Sequence, residues 1–209
     1  MSPTKVALAS RNPGKLREIR SILAEADIDL EVVSSDAFPG WVAPIETEPD
    51  YAGNALLKAR TLASFAGIPA LADDSGIEVD VLDGGPGVRS ARFAGENATD
   101  EENLQKLIGV VHDTPESQRT ARYRCVAVLV TPNGVESIAI GHVEGALITE
   151  PRGSGGFGYD PIFVPVGETR TMAELSPDEK DKISHRGKAF RGLVEVLRSL
   201  PDDRARGET

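Results

Sequence analysis

Cysteine is almost missing from this sequence: Cys125 is the only one in 209 residues. A lone thiol excludes an internal disulfide. Its place inside the apolar run CVAVLV points to a buried core thiol, with metal ligation or nucleophilic use as the lesser alternatives. Long apolar runs are missing too. None approaches the roughly 18 residues that span a bilayer. The opening MSPTKVALAS has one lysine and too short an apolar stretch for a secretory signal. The expectation is a cytoplasmic protein with no membrane partner. Positive charge is also in deficit, with 23 Lys and Arg against 33 Asp and Glu, a net charge of −10. Such a surface repels phosphate polymers, so no nucleic acid partner is expected. A small anion is still admissible, through a local cluster of cations or a metal.

What remains is an ordinary globular composition, 40% hydrophobic and 27% charged, long enough for one domain or two lobes sharing a core. KVALAS reads as a buried strand, and GKLREIRSILAEA has apolar residues at helical spacing. LEVVSS is a second strand, and DAFPGWVAPIETEP is an acidic, proline-rich loop. DYAGNALLKARTLASFAG is a helix stopped by Gly67, with Pro69 beyond it. PALADDSGIEVDVL reads as a strand, a turn at Ser75-Gly76, and a second strand with Ile77, Val79 and Val81 on one face. DGGPGVRSARFAG has no period and is taken as a loop. Thr99 with Glu102, and Ser176 with Glu179 around Pro177, are capping boxes that open two helices. TPNG between two strand-like runs is a hairpin signal. KAFRGLVEVLRSL predicts a final amphipathic helix, and residues 201–209 a polar tail. The interleaved order favours an α/β or α+β fold on a mixed sheet.

Four segments carry more polar chemistry than a core requires. SRNPGK, residues 10–15, is a glycine turn at a helix N-terminus, where backbone N–H groups and Lys15 suit an anion; it also reads as a plain strand–helix turn. Asp73 and Asp74 end an apolar run, and neighbours on a strand point to opposite faces, so one can serve a cleft while the scaffold holds the other. Carboxylates bind Mg²⁺ or take a proton from water, although Asp, Ser and Gly are also turn residues. Glu46 and Glu48 in the acidic loop are further candidate ligands, or solvated side chains. Phe157 and Tyr159 beside Asp160 suit a flat ring, or an ordinary core. KDKISHRGKAFR gathers Lys180, Lys182, His185, Arg186, Lys188 and Arg191, which equally describes a solvated helix face. Cations, a glycine turn, acids and an aromatic platform are together what a nucleoside triphosphate needs.

In order along nearly the whole chain, SRNPGKLREI, NALLKA, LADDSGIEVDVL, PGVRSARFAG, GFGYDPIF and TMAELSPDEKDKISHRGKA resemble the inosine triphosphate pyrophosphatase-like family, whose bacterial members are XTP/dITP diphosphatases. The resemblance implies an elongated α/β mixed-sheet fold of two lobes with a central nucleotide cleft, a single domain over residues 1–200. It implies Mg²⁺-dependent hydrolysis of the purine nucleotides ITP, dITP and XTP to the monophosphate and pyrophosphate, by a homodimer. By position, Ser10, Arg11, Asn12, Pro13, Gly14 and Lys15 match the phosphate loop, with Arg11 where the family often has glycine. Lys58 matches a lysine that reaches the triphosphate, and Asp74 the proton acceptor and Mg²⁺ ligand, with Ser75 beside it and Asp73 and Glu46 as further metal ligands. Phe157, Gly158, Tyr159, Asp160, Lys180, His185 and Arg186 match the nucleotide-binding set. The two rings are expected to wall the purine, Asp160 to touch it, and Lys15, Lys58 and Lys180 to offset phosphate charge. Two alternatives stand beside this reading: a pyrophosphatase for modified pyrimidine nucleotides, and a nucleotide sensor without turnover.

Overall fold

The structure, a computed structural model, describes residues 4–200; the expected polar tail at 201–209 lies outside the described residues. Strand β1 (Thr4–Leu8) is buried at Val6, Ala7 and Leu8 and is followed by helix α1 (Pro13–Glu25). Strand β2 (Leu30–Ser34) returns parallel to β1, with Val6 opposite Val32. Helix α2 (Tyr51–Ala66) then leads to β3 (Ala70–Val79), which lies parallel to β1 on its other side, with Ala7 opposite Ala70. These are parallel crossovers, and the apolar stripes of both helices explain them: Ile19, Ile22 and Leu23 on α1, Ala55, Ala59 and Leu62 on α2, all buried.

After helix α3 (Asp100–Val111) come the long strands β4 (Thr120–Val130) and β5 (Glu136–Leu147) and the short β6 (Phe163–Pro165), antiparallel to β5. The six strands form one sheet in the order β2-β1-β3-β4-β5-β6. Parallel and antiparallel pairs coexist, so the sheet is mixed, as expected. The β4–β5 connection is the hairpin predicted from TPNG: the Gly134 N–H donates to the Thr131 carbonyl at 2.9 Å, and Gly134 takes a φ of 83° that suits glycine.

The chain divides into two compact units. The first holds residues 4–74, 126–141 and 187–200 of the described chain; the second holds 75–125 and 142–186. The second has its own apolar core, with Ile77, Leu107, Tyr123, Leu147, Ile162 and Phe163 among its buried members. Cys125 is fully buried, as expected of a core thiol. Among the described residues no helix is long and apolar enough to cross a membrane.

Helix ends follow the local signals. Asn12 caps α1 and Pro13 occupies its first turn; Gly67 ends α2 at φ 67°. Helix α4 (Pro177–Ile183) opens with the Ser176–Glu179 capping box. Hydrogen bonds from the Ser176 backbone and hydroxyl, then Arg170, hold the Glu179 carboxyl down at about 2.

Three expectations are corrected. There is no turn at Ser75-Gly76: β3 runs straight through both, because burial on the sheet outweighs their turn preference. Val81 does not share a face with Ile77 and Val79; it lies in a 3-10 turn, Asp80–Leu82, and is 41% exposed. The final helix is two helices, α5 (His185–Arg191) and α6 (Val194–Arg198). The break falls at Gly192, where an added Cβ would lie 2.8 Å from the Ala139 Cβ, so the backbone itself packs there. The expected loop after β3 also contains a 3-10 segment, Gly87–Arg92.

The α3 cap offers a direct check. Thr99 accepts from the Glu102 N–H at 3.2 Å while Glu102 accepts from the Thr99 N–H at 2.7 Å. Thr99→Ala is expected to lower the unfolding free energy by about 1 kcal/mol, read from the urea midpoint with an unchanged m-value.

Candidate active site

In the first unit, the turn from β1 into α1 is organised by two short side chains. The Ser10 hydroxyl accepts from the Asn12 N–H at 3.1 Å, and the Asn12 carboxamide oxygen accepts from the N–H of Gly14 at 2.8 Å and of Lys15 at 3.3 Å. Lys15 leaves this turn toward β3, and its ammonium donates to Asp73 Oδ1 at 2.9 Å. The Asp73 side chain is 1% exposed, so this is a buried carboxylate compensated by a lysine that keeps some access to solvent. Arg11 does not join it. Its guanidinium pairs with Asp36 at 3.2 Å, both side chains exposed.

Asp74, next along β3, turns the other way and meets α2. The Asn54 carboxamide donates to Asp74 Oδ2 at 3.0 Å, and the Lys58 ammonium lies 4.0 Å from Asp74 Oδ1. The same ammonium donates to Glu46 Oε1 at 2.6 Å. Burial alone lowers the pKa of Lys58, but the charges of Asp74, Glu46 and Asp73 and the bond to Glu46 outweigh it and raise it above the ordinary 10.5. Lys58 therefore stays charged at neutral pH. Its contribution to stability is complete below that ordinary value and is lost as the pH rises past the higher folded one.

Glu46 and Asp74 thus address one cation from two sides. Among the described residues no three His, Cys, Asp or Glu side chains converge as a complete metal cage. Mg²⁺ does not need one: it is usually held by one or two carboxylates, with water and phosphate oxygens completing its octahedron. The pair Glu46 and Asp74 fits that requirement. Asp73, expected as a third ligand, is instead directed to Lys15, because adjacent strand residues face opposite ways.

The second unit holds the other expected residues. Phe157 is 51% exposed, and two cations lie over its ring: the Lys180 ammonium at 4.8 Å and the Arg186 guanidinium carbon at 5.6 Å from its centroid. Lys180 forms an ion pair with Asp160, which also accepts from the Phe157 N–H at 2.8 Å. Asp160 is therefore engaged within the protein, holding both the ring and the lysine. Within this unit Lys180 is tied to Asp160 and to the face of Phe157. Tyr159 is 4% exposed and belongs to the core; its hydroxyl donates to the Ser90 carbonyl at 2.7 Å. Of the two expected ring walls, only Phe157 offers an open face. Gly158 follows it at φ 60°, and its N–H donates to Asp100 at 3.2 Å. The nearby glycines serve an internal approach: a Cβ on Gly153 would lie 2.5 Å from the Ala173 carbonyl, and Gly156 borders Asp160. The buried Arg186 donates to Ser75 at 3.4 Å. His185, also buried, stacks on Tyr123 with centroids 4.7 Å apart and planes 7° from parallel.

Three supporting residues escaped the sequence reading. Asn54 lies inside NALLKA, and its spacing of four from Lys58, one helical turn, is the signal that places both on one face. Ser90 accepts from the Ile77 N–H at 2.9 Å and donates to the Gly87 carbonyl at 2.6 Å, anchoring the PGVRSARFAG segment. Tyr123 sits in a strand pattern that gives no hint of a histidine above it.

Comparison with known proteins adds to this geometry. The Ham1 family matches residues 6–196. A Streptomyces coelicolor protein named dITP/XTP pyrophosphatase is 50% identical over 197 residues, covering 94% of this chain and 98% of the relative. One of the same name from Escherichia coli is 46% identical over 197 residues, covering 93% and 98%. Among solved structures, a HAM1 protein from Coxiella burnetii superposes with a TM-score of 0.85 at 42% identity, covering 93% of this chain and 98% of that one. These matches bear out the family resemblance read from the motifs and the mixed α/β fold.

The Lys15–Asp73 pair predicts a stability effect separable from any ligand role. Lys15→Met, by leaving Asp73 buried beside an apolar group, is expected to cost roughly 3 kcal/mol. The double variant Lys15→Met/Asp73→Asn is expected to recover most of that loss in chemical denaturation without nucleotide. Equal stability of Lys15→Met and wild type would show that the pair contributes nothing to the fold.

Proposed function

The chain belongs to the Ham1 family, and on that premise we propose that it hydrolyses dITP, ITP and XTP to the nucleoside monophosphate and pyrophosphate. The observation that carries the reading is the convergence of Asp74 and Glu46 on Lys58. It occurs in a chain half identical, over nearly its whole length, to a relative named dITP/XTP pyrophosphatase. Residues 1–200 act as one catalytic domain in this reading, in a cytoplasmic homodimer. The net charge of −10 supports a small-molecule substrate over a nucleic acid.

Asp74 is the base: it orients the attacking water and takes its proton as the water oxygen bonds to phosphorus and the α–β anhydride breaks. Asn54 and Lys58 hold its carboxylate in place. Lys58 and Lys15, with the N–H groups at the start of α1, offset the charge that moves onto the phosphate oxygens. Mg²⁺ is the metal we assign to Glu46 and Asp74, and when bound it supplies charge neutralisation at those oxygens.

The base is taken by Phe157, Lys180, His185 and Arg186. Phe157 supplies the stacking face. Hypoxanthine and xanthine present an acceptor at position 6, where adenine presents a donor. Arg186 only donates, so it pairs with the keto oxygen and opposes the adenine amino group. A buried donor left without an acceptor costs about 1–3 kcal/mol, which favours 6-keto purines over adenine; guanine carries the same keto oxygen and is not separated by this contact.

Two measurements test the reading. A nucleotide panel with Mg²⁺, scored for pyrophosphate against orthophosphate, is expected to show dITP and XTP turned over with pyrophosphate release and ATP far less. Turnover of modified pyrimidine nucleotides alone, or binding without turnover, would replace the reading with one of its alternatives. Asp74→Asn is expected to lower kcat on the order of a hundredfold or more in a protein that keeps its fold. Near-wild-type turnover would remove Asp74 as the base.

A further inference from the structure

We infer that Asn54 is a positioning residue of the hydrolytic centre, clipping the acidic loop to Asp74 so that Glu46 and Asp74 address one cation. The inference rests on the reading of Asp74 as the base. Its geometry is independent of that reading. The Asn54 side chain makes two bonds of opposite sense: its Nδ2 donates to Asp74 Oδ2 at 3.0 Å, and its Oδ1 accepts from the Glu48 N–H at 3.0 Å. Asn54 is 1% exposed, so neither bond competes with bulk water.

The partners determine the side chain. An ionised carboxylate only accepts and a backbone N–H only donates, so the residue between them must donate at one end and accept at the other. Aspartate supplies the acceptor but no donor. Leucine, with the same branching at Cγ, supplies neither. The bond to Asp74 also settles the carboxylate plane. The terminal torsion of an aspartate is broad and roughly two-fold, and Asn54 at Oδ2 with Lys58 toward Oδ1 selects one setting.

A second observation concerns the other end of the clip. At Gly53, the residue before Asn54, an added Cβ would lie 2.6 Å from the Glu48 Cβ. The acidic loop therefore rests against the α2 backbone itself, and the hydrogen bond from Glu48 to Asn54 is made at that point of approach. Two residues back along the loop stands Glu46, bonded to Lys58 one turn further along α2. Gly53 admits the loop, Asn54 ties it, and Lys58 receives its carboxylate.

The test compares Asn54→Leu, which loses both bonds, with Asn54→Asp, which keeps an acceptor for Glu48 and loses the donor to Asp74. Three quantities are read: amide hydrogen exchange at Glu48, Mn²⁺ affinity by proton relaxation, and kcat with dITP. In Asn54→Leu, exchange at Glu48 is expected to accelerate, and Mn²⁺ affinity and kcat to fall about 10- to 100-fold, with KM near wild type. In Asn54→Asp, kcat is expected to fall by a similar factor while Glu48 keeps its protection. A merely structural asparagine would not separate those two readouts. Asn54→Asp also preserves side-chain size and guards against a leucine variant that fails to fold. Folded variants with wild-type kcat and Mn²⁺ affinity would overturn the inference. A wild-type enzyme inactive on dITP, with Mn²⁺ affinity and Glu48 protection still lost in Asn54→Leu, would overturn the hydrolase reading and leave the clip standing.

Discussion

Two adjacent carboxylates buried in one strand are the constraint on which the first unit depends. Asp73 and Asp74 leave β3 on opposite faces because side chains alternate along a strand. Neither can be removed from water uncompensated. Each therefore recruits a cation from a different helix: Lys15 from the first turn of α1, and Lys58 from the middle of α2. That requirement places the β1–α1 turn on one side of β3 and α2 with its acidic loop on the other. The neutral Asn54 completes the second side by donating to Asp74 without adding charge.

The second unit solves a similar problem at Asp160. This buried carboxylate is paired with Lys180 and accepts the Phe157 N–H, so one acid sets both an exposed ring and a cation above it. Tyr123 lies near the same carboxylate and beneath His185. Burial, then the charge of Asp160 and a hydrogen bond to it, pushes the Tyr123 hydroxyl well above its ordinary value, so it stays a neutral donor. In both units, a side chain available to a ligand is held by a buried partner of fixed chemistry. The exposed lysine or ring alone would have little reason to keep one orientation.

Much of this is legible in the sequence. The stripes of α1 and α2, the stop at Gly67, both capping boxes and the TPNG hairpin are local signals, decided by residues a few positions apart. The motif blocks named the candidate site residues in order, because the chemistry of phosphate and base recognition needs particular side chains. Where local preference met burial, it failed. Ser75-Gly76 reads as a turn and is strand; KAFRGLVEVLRSL reads as one helix and is two, because Gly192 packs by its backbone on Ala139. Tyr159 reads as a wall and is core, its hydroxyl claimed by Ser90.

The amino-acid sequence by itself determined most of the elements, which side chains are present for acid, cation and stacking chemistry, and the family. Only the tertiary structure decided their pairing. That Asp73 goes to Lys15 and Asp74 to Lys58, that Arg11 turns to Asp36, and that Lys180 belongs with Phe157 depend on contacts between residues distant along the chain. The reason is physical. Helix caps and turns are satisfied by neighbours in the chain, whereas a buried charge must find its partner wherever packing brings one within a few ångströms.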